Sequence, residues 1–133
     1  MPSIHLSQIE GLYLIHDDKL GRGVACIHPI PKGSIIESCP VIMLSSKDTK
    51  VIHNTKLHDF YFLWDTHLKT SAIALGYGSL YNHSKSPNAD YQLNDETQEI
   101  QFFAIKDIVA GDQIFINYQT LEQSEYPLWF DSE

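Results

Sequence analysis

In Gly78-Ser79-Leu80-Tyr81-Asn82-His83-Ser84-Lys85-Ser86-Pro87-Asn88, an amide, an imidazole and a hydroxyl follow one another, and a Pro-Asn turn comes just after. Nothing around them repeats at helical spacing. Some thirty residues on, Gly111-Asp112-Gln113-Ile114-Phe115-Ile116-Asn117-Tyr118 reads as a turn and then a short strand that ends in tyrosine. The two segments together point to polar groups gathered around one tyrosine hydroxyl.

The rest of the chain sets limits on what such a site could be. Its 133 residues suit one domain over 1–133, large enough for a single core. Seventeen acidic against nine basic residues give a net charge of −8. That balance argues against direct nucleic-acid binding, which needs clustered Lys and Arg, and favours a cationic partner such as a Lys-rich protein tail or a positively charged cofactor. It is equally what ordinary solubility requires. No run approaches the length of a membrane span, and Met1-Pro2-Ser3-Ile4-His5 lacks the basic and apolar regions of a secretion signal. A cytoplasmic location is the resulting expectation. Cys26 and Cys39 lack metal-ligand spacing, and the seven histidines form no HxH or HxxxH pair, so no metal site is expected.

Short β patterns punctuated by turns dominate the chain. Strands are expected over 9–16, 23–28, 35–44, 60–64 and 71–75, with a polar loop at 17–23 and Pro40 marking an edge or bulge. Ser45, Ser46 and Asp48 can cap a short helix. Residues 89–93 and 99–105, flanking Asn94-Asp95-Glu96-Thr97, read as a hairpin, and 113–118 as a last strand. The architecture is a compact, mainly β domain with little helix.

Taken singly, the candidate residues are ambiguous. Gly21-Arg22-Gly23 lies between strands, where two glycines make a hairpin turn or allow close approach to a ligand. His83 invites a general-base reading, but no Gly-x-Ser-x-Gly elbow or cysteine motif offers a nucleophile, and a lone histidine often serves structure alone. Tyr118 is a poor base at neutral pH, since a phenol ionises only near about pH 10. It can orient a reacting group, or simply pack its ring.

In order, Leu20-Gly21-Arg22-Gly23-Val24, Gly76-Tyr77-Gly78, Tyr81-Asn82-His83-Ser84, Pro87-Asn88 and Gly111 to Tyr118 resemble the SET-domain protein-lysine methyltransferases. The resemblance covers about 9–118, is most specific in the last motifs, and is nearest to the minimal SET proteins of viruses and bacteria. It implies a β-clip-like fold of short curved sheets with a knot-like C-terminal crossing that brings Asn82-His83 beside the Tyr118 strand. It also implies S-adenosyl-L-methionine as cofactor and a basic, lysine-containing protein such as a histone as substrate. By motif, backbone near Arg22 and Gly23 contacts the cofactor, Asn82 bonds its amino-acid end, and His83 meets the adenine through backbone groups. The carbonyl of Tyr81 lies near the transferred methyl, and Tyr118 is the catalytic tyrosine. Tyr77, Tyr91 and Ile116 line the lysine channel.

The chain departs from many family members in its tail. Residues 119–133 carry no cysteine where a zinc segment is common, and Lys85 stands where a cysteine usually follows Asn-His-Ser. Tyr126, Trp129 and Phe130 offer an aromatic lid, Trp129 over the cofactor and Tyr126 at the channel; the alternative is a hydrophobic latch or a dimer surface. Analogy with minimal viral members suggests a homodimer, and nuclear or host-directed action if the substrate is a histone. The rival to the enzyme is a non-catalytic SET-fold module that binds protein or dimerises.

Overall fold

The computed structural model describes residues 7–117. Asp and Asn side chains close its hairpins. Strands β1 (Ser7–Gln8), β2 (Leu12–Asp17) and β3 (Gly21–Cys26) come first, and β2 and β3 pair antiparallel from Leu12↔Cys26 to Asp17↔Gly21. At their turn Asp17 Oδ1 accepts from the backbone N–H groups of Lys19 and Leu20, at 2.8 and 3.0 Å. Gly21 continues the turn at φ +84°, a region open to glycine. The pairing is longer than the sequence suggests: Gly21 and Arg22, expected in the loop, are already in strand opposite Asp17 and His16.

Strand β4 (Ile35–Leu44) is the spine of the domain. Helix α1 (Ser46–His53) follows it, capped by Ser45, whose Oγ accepts from the Asp48 N–H at 3.1 Å. Such a cap contributes about 1 kcal/mol. A 3-10 turn at Lys56–Asp59 leads to β5 (Tyr61–Asp65) and β6 (Thr70–Ala74). Asp65 Oδ1 accepts from the N–H groups of His67 and Leu68 in the β5–β6 turn. A second 3-10 turn (Gly78–Leu80) precedes β7 (Asn82–His83); β8 (Ala89–Asn94) and β9 (Glu99–Ala104) form the expected hairpin, with Asn94 Oδ1 accepting from Glu96 and Thr97. The last described strand is β10 (Phe115–Ile116).

The main sheet runs β5-β6-β4-β9-β8, with β1 also on β4. Pro40 is neither at an edge nor at a bulge. It sits where β4 changes partner, ending the pairing with β9 at Pro40↔Glu99 just before Val41↔Ala74 opens the pairing with β6. Its carbonyl accepts from Leu75, one residue beyond β6, so the missing N–H falls at the very end of the β4–β6 ladder. The bulge lies earlier, between Ile35 and Glu37. Alternation in β9 sends Ile100, Phe102 and Ala104 into the core, where they meet Val24, Ile36, Phe62, Ile114 and Ile116.

The last described segment joins the domain through β10. This strand pairs parallel with β7, Phe115↔Asn82 and Ile116↔His83, and Ser84 N–H donates to the Ile116 carbonyl at 2.9 Å. On the opposite edge the Asn88 side chain acts as a one-residue strand. Its Oδ1 accepts from Phe115 N–H at 2.8 Å and its Nδ2 donates to the Gln113 carbonyl at 2.9 Å. Of the strand expected over 113–118, the described part, 113–117, is in strand only at Phe115–Ile116, because Gln113 and Ile114 spend their backbone bonds on Asn88 and on the Val24 carbonyl instead of one neighbouring strand. Among the described residues, no helix is long and apolar enough to cross a membrane.

Candidate active site

One cleft of about 560 Å³ collects residues from three distant parts of the chain. The β2–β3 hairpin gives Leu20, Gly21 and Arg22; the connector before β5 gives Asp59 and Phe60; Ser79 to His83 form the remaining wall. Its volume suits a small organic ligand, and its mixture of apolar walls with few polar groups is usual for such a site. Arg22, Tyr81, Asn82 and His83, all expected at the cofactor, are thus brought together.

Gly23 explains why glycine is needed in that hairpin. A Cβ there would run into Gln113 Oε1 and come within 2.6 Å of Asn82 Nδ2. Those two atoms are themselves joined, Asn82 Nδ2 donating to Gln113 Oε1 at 2.7 Å. The hairpin therefore packs directly under an amide pair that ties β7 to the approach to β10.

Beneath the cleft, Glu37 is fully buried and accepts three hydrogen bonds. Tyr81 Oη donates to its Oε1 at 2.6 Å, while Gln8 Nε2 and Tyr77 N–H donate to its Oε2 at 2.7 and 3.0 Å. Burial, and then the neighbouring Glu37, push the Tyr81 hydroxyl well above its ordinary range, so it stays a neutral donor. The Cys39 thiol is pushed up by the same two causes in the same order. Cys26 and Cys39 are both buried and form no disulfide.

The expected channel residues lie on the core side of this wall. Tyr91 is half-buried and meets Phe62 edge-on at 5.0 Å; Phe102 joins it to Tyr81, with ring centroids 6.1 and 4.8 Å away. Tyr77 packs against the same core, which includes the buried Ile116. None of the three lines the cleft. The ring of Tyr81 is also a core group, so what it offers a ligand is its backbone. Tyr118, Tyr126 and Trp129 lie outside the described residues.

Three contributors were missed in the sequence. Phe60 was expected as the first residue of the strand over 60–64, but that strand begins at Tyr61 and leaves Phe60 at the cleft, and Asp59 just before it was assigned no role. Asp59 is exposed, with His58 Nε2 3.1 Å from its Oδ1. Glu37 sits in the apolar run Ile35-Ile36-Glu37, where only alternation hints at its direction.

A small curved β domain whose parallel strand pair abuts a Gly-lined cleft defines a class of fold and site. The chain belongs to the SET-domain family, whose model matches residues 21–119. It is 28% identical over 117 residues to the H3 lysine-37-specific histone-lysine N-methyltransferase of Schizosaccharomyces pombe, covering 87% of this chain and 74% of that protein. A crystal structure of a Plasmodium falciparum protein assigned as a histone methyltransferase superposes with a TM-score of 0.66 at 29% identity, over 83% of this chain and 95% of that one. The Neurospora SET-domain histone lysine methyltransferase shares the fold with a TM-score of 0.61 at 19% identity, over 80% of this chain and 51% of that one. By class, the chain is a lysine methyltransferase.

Proposed function

We propose that this chain transfers a methyl group from S-adenosyl-L-methionine to the side-chain amine of a lysine in a basic protein, with histones the leading substrate class. The observation that carries the reading is the cleft itself. It gathers Arg22, Tyr81, Asn82 and His83, beside the strand that leads toward Tyr118.

The residues present fit the cofactor. The Asn82 amide is held by Gln113 at the cleft wall, suited to the polar amino-acid end. Leu20, Phe60 and Leu80 supply apolar surface for the adenine, near the backbone of His83. Bound there, the cofactor supplies a methyl on a sulfonium, a carbon already activated toward a nucleophile. The chain's task is then mostly positioning, which can replace a bimolecular encounter by a local one. The Tyr81 carbonyl can hold methyl hydrogens through weak contacts worth about 0.5–1 kcal/mol each. Tyr77, Tyr91 and Ile116 would enclose the lysine stem, and an apolar channel favours the neutral amine that must react. The Tyr118 hydroxyl would align that amine, and Trp129 and Tyr126 would cover the cofactor and the channel mouth. Residues 9–118 would be the working core, and action on a histone would take place in a nucleus.

The test is methyl transfer from labelled cofactor to a panel of histones and other Lys-rich proteins, beside Tyr118→Phe. Transfer by the wild type that is lost in the variant is the expected result. No transfer and no calorimetric cofactor binding would overturn the enzyme reading. Binding without transfer would favour a non-catalytic module. For the tail, Trp129→Ala should weaken cofactor binding; an unchanged affinity would remove Trp129 from the site.

A further inference from the structure

We infer that Glu37 is a positioning residue that fixes the cleft wall by gripping both ends of the turn that forms it; this rests on the reading of the cleft as the cofactor site. The 3-10 turn Gly78–Leu80 is three residues long, begins after Tyr77 without a side-chain cap, and ends at Tyr81. So short a turn holds itself weakly. Glu37 reaches it from the central strand β4 and binds both flanks, Tyr77 through its N–H at 3.0 Å and Tyr81 through its hydroxyl at 2.6 Å. The third bond, from Gln8 Nε2 at 2.7 Å, ties the same carboxylate to β1.

The turn cannot drift inward or settle elsewhere. A Cβ on Gly78 would lie 2.5 Å from Ala74 Cβ and 2.9 Å from Cys39 Sγ, so its backbone is already pressed against β6 and β4. Ser79 Oγ accepts from the Ala74 N–H at 3.0 Å. What remains adjustable is the angle at which the turn delivers Tyr81, and hence Asn82, to the cleft. Glu37 sets that angle from both sides. A carboxylate suits the role because both its oxygens accept, whereas in an amide one becomes an NH₂ that either faces the Gln8 and Tyr77 donors or makes the Tyr81 hydroxyl turn and accept.

The experiment compares wild type, Glu37→Gln, Glu37→Asp, Tyr81→Phe and the core control Ile100→Val. Each is measured for thermal midpoint and for calorimetric affinity toward S-adenosylhomocysteine, which fills the cleft without turnover. Glu37→Gln should weaken that affinity several-fold, because the amide reverses or breaks the bond that holds Tyr81 at the cleft wall. Tyr81→Phe should weaken it several-fold, and Glu37→Asp should recover part of the Gln loss. Ile100→Val should lower the midpoint and leave affinity unchanged. Should Glu37→Gln fail to fold, Tyr81→Phe and Glu37→Asp decide the matter. Wild-type binding with unchanged affinity in every folded Glu37 and Tyr81 variant would overturn the inference and leave the cofactor reading standing. Wild-type protein that binds nothing would overturn both.

Discussion

Asn82 and Gln113 are joined by a 2.7 Å side-chain bond that lies directly on Gly23, so that three segments distant in sequence meet at one amide pair. The groups that a Cβ on Gly23 would displace are the far ends of two side chains, which can swing away at little cost to the fold. The disturbance therefore falls on the site. Gly23→Ala should keep a thermal midpoint close to wild type while weakening cofactor binding about tenfold, the usual scale for misplacing one buried hydrogen-bonding group. Calorimetry with S-adenosylhomocysteine beside a thermal melt checks it; a collapse of the fold with intact affinity per folded molecule would refute it.

Asn88 carries the opposite kind of load. Its amide completes the backbone bonding of Gln113 and Phe115, which no strand among the described residues meets on that edge. Asn88→Ala removes both bonds and leaves a half-buried strand edge partly unsatisfied, so unfolding in urea should show a loss of about 1–3 kcal/mol. A loss below about 0.5 kcal/mol, typical of a neutral surface change, would mean that water replaces the amide.

These two residues mark what the sequence makes legible. Turn chemistry is local, and the hairpins closed by Asp17, Asp65 and Asn94 follow from polar side chains reaching their own backbone two and three residues on. The β8–β9 hairpin and the Ser45 cap are readable for the same reason. Asn82 and Asn88 could be singled out only through motif order, because their partners at Gln113 and Phe115 lie 25 to 31 residues away in sequence, where no local pattern reaches. Glu37 was invisible for a related reason. A charged residue in an apolar strand reads as a solvent-facing position unless its donors are known, and here they come from Gln8, Tyr77 and Tyr81. Phe60 was absorbed into an aromatic run that looked wholly buried, whereas it stands at the cleft.

The buried acids of the core fix the alkaline behaviour. Cys39 and Tyr81 both ionise at higher pH in the folded chain than their ordinary 9.0 and 10.0, because burial and Glu37 disfavour the anion. The unfolded chain thus releases protons that the folded chain retains. Stability from these groups is fully present below pH 9.0 and falls as pH rises above it, by about 1.4 kcal/mol per pH unit for each group titrating in the unfolded state alone. Denaturant melts from pH 7 upward should show this decline, and Cys39→Ala should make it shallower between pH 9 and 10, whatever the variant's absolute stability. An unchanged slope would show that the thiol ionises in place.

The excess of acid over base has a consequence for substrate capture that salt can expose. A chain with net charge −8 attracts a Lys-rich segment from a distance, while the cleft and channel act only at contact. Raising ionic strength from about 0.01 to about 1 M shortens the screening length from roughly 30 to roughly 3 Å, which erases the distant attraction and spares the contacts. The KM for a basic peptide should then rise about tenfold or more, the ordinary size of such steering. The kcat and the affinity for S-adenosylhomocysteine should stay nearly constant, since neither depends on long-range attraction of the peptide. Initial rates across a salt series, with calorimetry at each point, separate the effects. A KM that ignores salt would mean that the acidic surface serves solubility alone, and that recognition of the lysine segment rests on the channel.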